Sequence, residues 1–582
     1  MTRRSLSLAV LALPVLMCHA VAAAEALPPA TKWIPGDAVI VVELANPDSL
    51  LDIALGPKVE AAVSSQPAYQ KLSKSPQFAQ LQQGIQYLER SFQTDWRSGL
   101  RKLVAGGATW SVHPGGGSLL IVDADNAEIL GQLHEIVRGI AQVEAAKQGK
   151  GQRVQSKEYR GVTAWTFNGE EAHALVGKRL LLTNKKELLK AALDLRAEEG
   201  TCVADVAEYA AARKTAGPDA DAAAFVNFAA IKHFPPVEKA LQQNTNPLAS
   251  LLLAGTTETL RNSTWLSLGL KADGNTLQLD LTTDGKPEAS KLLAFAAPAK
   301  AGEGVLPNLV VPGRIAAMSF YRDLHGFYAA KDELFPERTS GLIFFENMMG
   351  IFFTGRDLTE EVLGELGPEV RVVVAEQQYD ETTGTPQVQV PAFAAVFQME
   401  NPDKFAVVVE EAWQKALGLV NFTQGQQAKP GVILDRFTHN GTKFSVAAYA
   451  APPKDAKNVD IRHNFSPSLA RQGEFVILSS TAGLARDLID AIQKETADQA
   501  KAVADAHSLL ALDAVQLGSI LAANRENLVL QNMVNDGHTR DEAETQIDLL
   551  TAIARYLGQA KLAVGSPQGQ AQTTLSVQLN LP

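Results

Sequence analysis

Pro35-Gly36-Asp37-Ala38-Val39-Ile40-Val41-Val42-Glu43-Leu44 opens the first half of the chain, and Pro312-Gly313-Arg314-Ile315-Ala316-Ala317-Met318-Ser319-Phe320-Tyr321 opens the second. In each, a Pro-Gly turn signal leads into a strand-like run, Ala38 to Leu44 and Ile315 to Tyr321. A helical stretch follows both. Next comes a helix that ends near glycine and feeds a strand, Leu100 to Trp110 in one half and Val362 to Val374 in the other.

The order continues in step. Leu119 to Asp123 reads as a strand and Asn126 to Val143 as a helix, matched by Phe393 to Met399 and Pro402 to Leu417. Apolar residues in these helices recur at three and four positions, the spacing of one buried face. A third block carries the hairpin signals Asn168-Gly169 and Asn440-Gly441. In the first half Val162 to Phe167, Ala172 to Val176 and Leu180 to Thr183 lead into a helix from Lys185 to Leu195. In the second, Lys443 to Tyr449 and Phe475 to Ser479 lead into Ala482 to Ile492, with a polar insertion from Ala451 to Gln472 between them.

Each half ends in a hairpin whose last strand alternates, Leu277, Leu279 and Leu281 in one and Leu575, Val577, Leu579 and Leu581 in the other. Alternation of this kind predicts one buried face and one wet face. The fold class expected is therefore α+β: two similar units, each a mainly antiparallel sheet with helices packed on it, related by internal duplication. Short connections rule out parallel crossovers for most neighbours. The boundaries are a first unit over 25–295, an Ala-, Gly- and Pro-rich linker over 296–310 and a second unit over 311–582.

Residues 1–24 read as a signal peptide. Arg3 and Arg4 form its charged region, Leu8 to Met17 its apolar run, and Ala22-Ala23-Ala24 its cleavage site. The run is too short to span a bilayer, which takes about 20 residues. Cys18 follows Met17, where lipid attachment wants a small residue, and Ser7 breaks the apolar pair of a twin-arginine signal. The leader predicts export to the periplasm or the cell exterior, with no integral membrane span in the mature chain. Removal of Cys18 leaves Cys202 alone, so no internal disulfide can form and packing must supply stability.

The run from Ile34 to Leu51, with Ala45-Asn46-Pro47-Asp48 after its strand, resembles a family of exported bacterial proteins known only as a domain of unknown function. Gly177-Lys178-Arg179-Leu180-Leu181-Leu182-Thr183 and Gly473-Glu474-Phe475-Val476-Ile477-Leu478-Ser479 fit that family's hairpin pattern. The resemblance spans most of the mature chain, reports fold, and implies no catalytic residues.

Chemistry is sparse. The net charge of −11 falls to about −13 without Arg3 and Arg4, and basic residues form no cluster beyond pairs such as Lys178-Arg179 and Lys185-Lys186, read as solvated turns. Nucleic acid is excluded as a partner. His113-Pro114-Gly115-Gly116-Gly117 reads as a turn, since no G-x-S-x-G nucleophile elbow accompanies it. His134-Glu135 begins like a zinc-protease helix, but Arg138 stands where the second histidine belongs. Asp123-Ala124-Asp125-Asn126 lacks the glycine and distal glutamate of a calcium loop and reads as a helix cap. Phosphate-binding glycine motifs are missing, so no cofactor is expected. Asp323 with His325, and His134 with Glu135, are the sequence-local places where an active site would be sought.

Gly341 to Phe353 is the most hydrophobic stretch of the mature chain. At helical spacing Ile343, Phe344, Met348, Ile351 and Phe352 share a face that Phe345, Met349 and Phe353 broaden. It reads as a core helix between layers, or as an adaptable wall for a hydrophobic ligand formed by Phe344, Met348, Met349 and Phe352. The function expected is an exported envelope protein that binds or scaffolds without catalysis, with an envelope protein or hydrophobic ligand as partner. A carrier of a lipid-like ligand and a hydrolase whose site is assembled from distant residues are the alternatives.

Overall fold

The computed structural model describes residues 27–147, 153–167, 169, 171–242, 246–253, 255–286, 291–298, 303–379, 384–452 and 459–581. The leader over 1–24 and Asn168 lie outside the described residues, as do 299–302 of the linker and 453–458 of the polar insertion.

The first half contributes β1 (Ile40–Leu44), β2 (Ala108–His113), β3 (Gly117–Asp123), β4 (Gln155–Tyr159), β5 (Val162–Thr166), β6 (Ala172–Val176), β7 (Arg179–Thr183), β8 (Ala222–Asn227), β9 (Trp265–Asp273) and β10 (Thr276–Thr283). After a short β11 (Gly304–Val305), the second half contributes β12 (Arg314–Tyr321), β13 (Leu366–Ala375), β14 (Ala392–Met399), β15 (Ile433–His439), β16 (Thr442–Ala448), β17 (Ser468–Gln472) and β18 (Phe475–Ser479). It closes with β19 (Val503–Ala504), which pairs with β11, then β20 (Ala506–Asp513), β21 (Gln559–Gly565) and β22 (Gln572–Gln578).

The architecture is α+β, and the strand pairings of the large sheet are antiparallel. In the first half neighbours run β4-β5-β6-β7-β3-β2-β1-β8-β9-β10. In the second they run β15-β16-β17-β18-β14-β13-β12-β20-β21-β22. The two sequences of pairings are the same, strand for strand. They join where β10 pairs with β22, Leu279 opposite Leu575, so that twenty strands form one sheet. Thr574 donates across this joint to Asp280 at 2.5 Å.

Five strands of the large sheet escape the sequence reading: the outer strands β4 and β15, and β8, β17 and β20. β4 and β15 are outer strands whose residues are mostly exposed, with the charged Lys157, Glu158, Asp435 and Arg436 among them. Charge on an edge strand discourages further pairing, and it also erases the alternation by which strands are recognised. β17 likewise lies inside the stretch read as a polar insertion.

Helices seal one face of each half. In the second half the helix Ala482–Ala497 starts where Thr481 accepts the Leu484 N–H at 3.2 Å, and it buries Leu484, Ala485, Leu488, Ile489 and Ile492 on one stripe. That stripe packs on Ala317, Val373, Ala394, Val396 and Ile477. In the first half Trp33, Leu189, Leu193 and Tyr209 cover Val41, Leu119, Ile121, Leu181 and Phe225. The segment between the halves packs too: Ala296, Val305 and Leu309 are buried.

Each core holds a buried arginine. Arg179, read from sequence as a solvated turn residue, is instead 1% exposed and grips both oxygens of Asp123 at 2.6 and 2.7 Å, with Trp33 stacked beneath it. Lys185, in the other basic pair, reaches the Gly115 carbonyl at 2.5 Å. Arg371, also 1% exposed, grips Glu495 at 2.8 and 2.9 Å over Phe475.

A third buried arginine ties the halves. Arg322 donates to the Leu251 and Leu252 carbonyls at the end of the helix Pro247–Leu253, and to the His507 carbonyl and Ser508 hydroxyl of β20. Phe295 and Leu292 pack there against Phe327 and Phe335. With the Tyr321 carbonyl at 2.6 Å, Arg322→Ala deprives five acceptors of a donor, each costing about 1–3 kcal/mol where it is left buried and unsatisfied. The expected result is a urea transition that broadens or splits as the halves uncouple. A single transition of unchanged midpoint contradicts this role.

Candidate functional site

Strand β13 alternates between buried and half-buried residues along its whole length, and β2, β3, β8, β9, β12 and β14 do so over most of theirs between buried and more open ones, so the sheet has a sealed face and a partly open one. The open face is apolar too. Direct cross-strand pairs carry it from strand to strand: Leu120 to Trp110, Trp110 to Val42, Val42 to Ala224, and Ala224 to Leu268. Leu268 and Leu270 then meet Leu281 and Leu279, and Leu279 meets Leu575 across the joint. Leu575 continues to Leu562, Leu510, Met318, Val372 and Ala395.

This belt crosses twelve strands, roughly 50 Å at the usual strand spacing. Its residues are half-buried, and Trp110 at 41% and neighbouring Phe393 at 51% stand open. The sealed face meanwhile encloses polar groups: Thr109, Ser111, His113, Ser267, Ser319, Glu369 and Arg371. A folded chain ordinarily puts apolar surface where water is best excluded; here the sealed face carries the cores around Val41, Leu119, Phe225, Val373 and Val396, and the open face of the same strands is apolar as well. At the joint the face expected to be buried, that of Leu277, Leu279, Leu281, Leu575 and Val577, is only half covered. The reason is that the sealing helices pack on the opposite side of the sheet.

The outer ends of the same face are closed. The helix Pro402–Gln426 lays Phe405 and Val408 against Met399, Leu469 and Val476. The helix Ala127–Lys147 packs Ile129 and Leu130 with Leu175 and Leu180. The belt therefore has walls at both ends and leucines along its floor.

The helix read as a core element over 341–353 runs as Thr339–Met349 and stands on the surface. Phe344 is 70% exposed and Met348 42%, while Met349 and Phe352 are half-buried. Only Leu342 reaches a buried cluster, because the helix sits in the connection between β12 and β13 and not between two layers.

Of the two local dyads, Asp323 and His325 turn to other partners, while His134 and Glu135 stay 3.9 Å apart. Asp323 accepts the Gly326 N–H at 2.8 Å as a helix cap, and His325 faces Glu360 at 3.3 Å. His134 packs in an aromatic box with Trp165, Phe167 and His173, its ring 5.3 Å from that of His173. Burial lowers both imidazoles, His173 to about 4 with further help from His134. Among the described residues no group of three or more His, Cys, Asp or Glu side chains could hold a metal ion. Asn126 caps its helix as expected through the Ile129 N–H, while Asp123 is taken up by Arg179. Pro114–Gly116 forms the β2–β3 turn, with Gly115 and Gly116 at φ 71° and 78°, a region where a side chain is strained. Cys202 is a buried free thiol.

No family model and no curated protein matches this chain. Among solved structures, crystal form III of TP0453 is similar at 8% identity over 44% of this chain and 80% of its own, with a TM-score of 0.24. Crystal form IV of TP0453 gives 8%, 44%, 79% and 0.23. At such scores the likeness is too slight to bear on function.

The belt escapes sequence reading for a definite reason. Alternation in Leu266, Leu268, Leu270 and in Leu277, Leu279, Leu281 marks an apolar face, but which face the helices cover is decided by contacts distant in sequence. The described helices offer no membrane crossing: none is long and apolar enough.

Proposed function

We propose that the protein is a non-enzymatic binder of hydrophobic, lipid-like ligands, seated on the apolar belt of its sheet. The observation that carries this reading is an apolar, leucine-lined face left half-open across the middle of the sheet, on the side opposite the two sealed cores. A belt without convergent polar groups has nothing with which to activate a bond, and it suits flexible apolar chains. The exposed Phe344 and Met348 act in this reading as an outlying contact surface, with Met349 and Phe352 behind them. The leader at Arg3 to Ala24 supports a place in the periplasm or outside the cell, in keeping with the resemblance to exported proteins. The repeated strand order supports an internal duplication of one α+β unit, with its break in 296–310.

The test is binding of the fluorescent fatty acid cis-parinaric acid to the full-length mature protein, with native mass spectrometry of material from its own cells. Saturable binding is expected, displaced by palmitate. The double substitution Leu279→Gln and Leu575→Gln should weaken it about tenfold, equal to about 1.4 kcal/mol, with far-UV circular dichroism unchanged. Absence of saturable binding, or binding indifferent to both substitutions, overturns the proposal. A co-purifying protein without lipid would favour a scaffold.

A further inference from the structure

One corner of the second half is elaborated where the first half is plain. The β2–β3 connection is only Pro114–Gly116, but its counterpart between β13 and β14 runs over 376–391; the β5–β6 connection covers 167–171, but its counterpart between β16 and β17 runs over 449–467. Residues 376–379, Tyr449 and 463–466 of these connections, with the start of the helix Ala482–Ala497, line a cleft of about 920 Å³.

The cleft is braced from within. Asn464, 1% exposed, ties one insertion to the other: its amide donates to the Val388 and Ile461 carbonyls, and its oxygen accepts from the Tyr379 hydroxyl at 2.7 Å and the Val390 N–H at 2.9 Å. Asn524, from the second half's helical connection, clasps Gln389 through both its N–H and its carbonyl. Tyr449 is fixed by the Arg462 guanidinium 5.4 Å over its ring and by His463 edge-on. Two aromatic rings are thus held in place on the lining before any ligand arrives, which lowers the ordering cost of binding.

We propose that this cleft binds an uncharged glycan. Its charged lining is sparse and mixed, two carboxylates, Glu376 and Asp487, with one guanidinium, Arg486, which disfavours a polyanion and offers too little like charge to select a polycation. Burial raises the Asp487 carboxyl above its ordinary range and lowers the His463 imidazole below its own. Ring faces at Tyr379 and Tyr449 beside carboxyl, amide and guanidinium groups match a sugar, which presents apolar C–H faces bordered by hydroxyls. Gly483 adds an open approach, since a Cβ there would meet nothing within 4 Å.

The experiment is calorimetric titration of the full-length mature protein with chitotetraose, cellotetraose and maltotetraose, and separately with inorganic phosphate. At least one oligosaccharide is expected to bind saturably. Tyr449→Ala and Asp487→Asn should each reduce its affinity tenfold or more without lowering the melting temperature, and the Leu279→Gln, Leu575→Gln protein should bind it unchanged. The proposal fails if no oligosaccharide binds, if binding survives both cleft substitutions, or if phosphate alone is taken up.

Discussion

Glu495→Ala is expected to destabilise the protein by about 3–5 kcal/mol, because it leaves the Arg371 guanidinium charged, 1% exposed and without its carboxylate partner. Asp123→Ala should do the same to the first half by stranding Arg179. The loss should come from the widowed charge more than from the missing attraction. Replacing the whole pair with Arg371→Met and Glu495→Leu is therefore expected to recover most of it, since a buried ion pair and an apolar pair of similar volume are close in free energy. Chemical denaturation of the three proteins decides the matter. A cost below about 1 kcal/mol for Glu495→Ala would mean that water reaches the pair and that its surroundings are not the sealed face described above.

Acidification gives the second large effect. His173 is held down to about 4 and His507 to about 3, both chiefly by burial, the latter also by the adjacent Arg322. Both imidazoles are neutral in the fold, whereas the unfolded chain takes up protons below the ordinary value of 6.5. Stability therefore falls as pH drops from 6.5 toward 4, by about 3 kcal/mol for each histidine. Glu369 works the other way. Burial raises its carboxyl to about 7, so the fold gains a proton first and stability rises as pH falls toward its ordinary 4.5, offsetting about one histidine. The net expectation between pH 7 and 4 is a loss of about 3 kcal/mol. His173→Phe should flatten the dependence and Glu369→Gln should steepen it, both read from urea midpoints at several pH values. A dependence untouched by either substitution would place the titration elsewhere.

The sequence by itself determined the class of fold and the order of its elements. Alternation in Leu277 to Leu281 and in Leu575 to Leu581, the Asn-Gly turn at 440–441, and three- and four-residue spacing in the helices are local signals, and a local signal survives in one dimension. The same locality hid β4 and β15, whose charge serves the sheet's edges and leaves no apolar period to read. Arg179 looked like a turn residue because its partner Asp123 lies on another strand. What only the tertiary structure decided was which side of the sheet the helices cover, that β10 finds β22 across nearly the whole second half, and that two insertions close a cleft over a helix start. Each depends on contacts between residues far apart in the chain, whose free energy arises from packing and exclusion of water in three dimensions, and no window of neighbouring residues contains it.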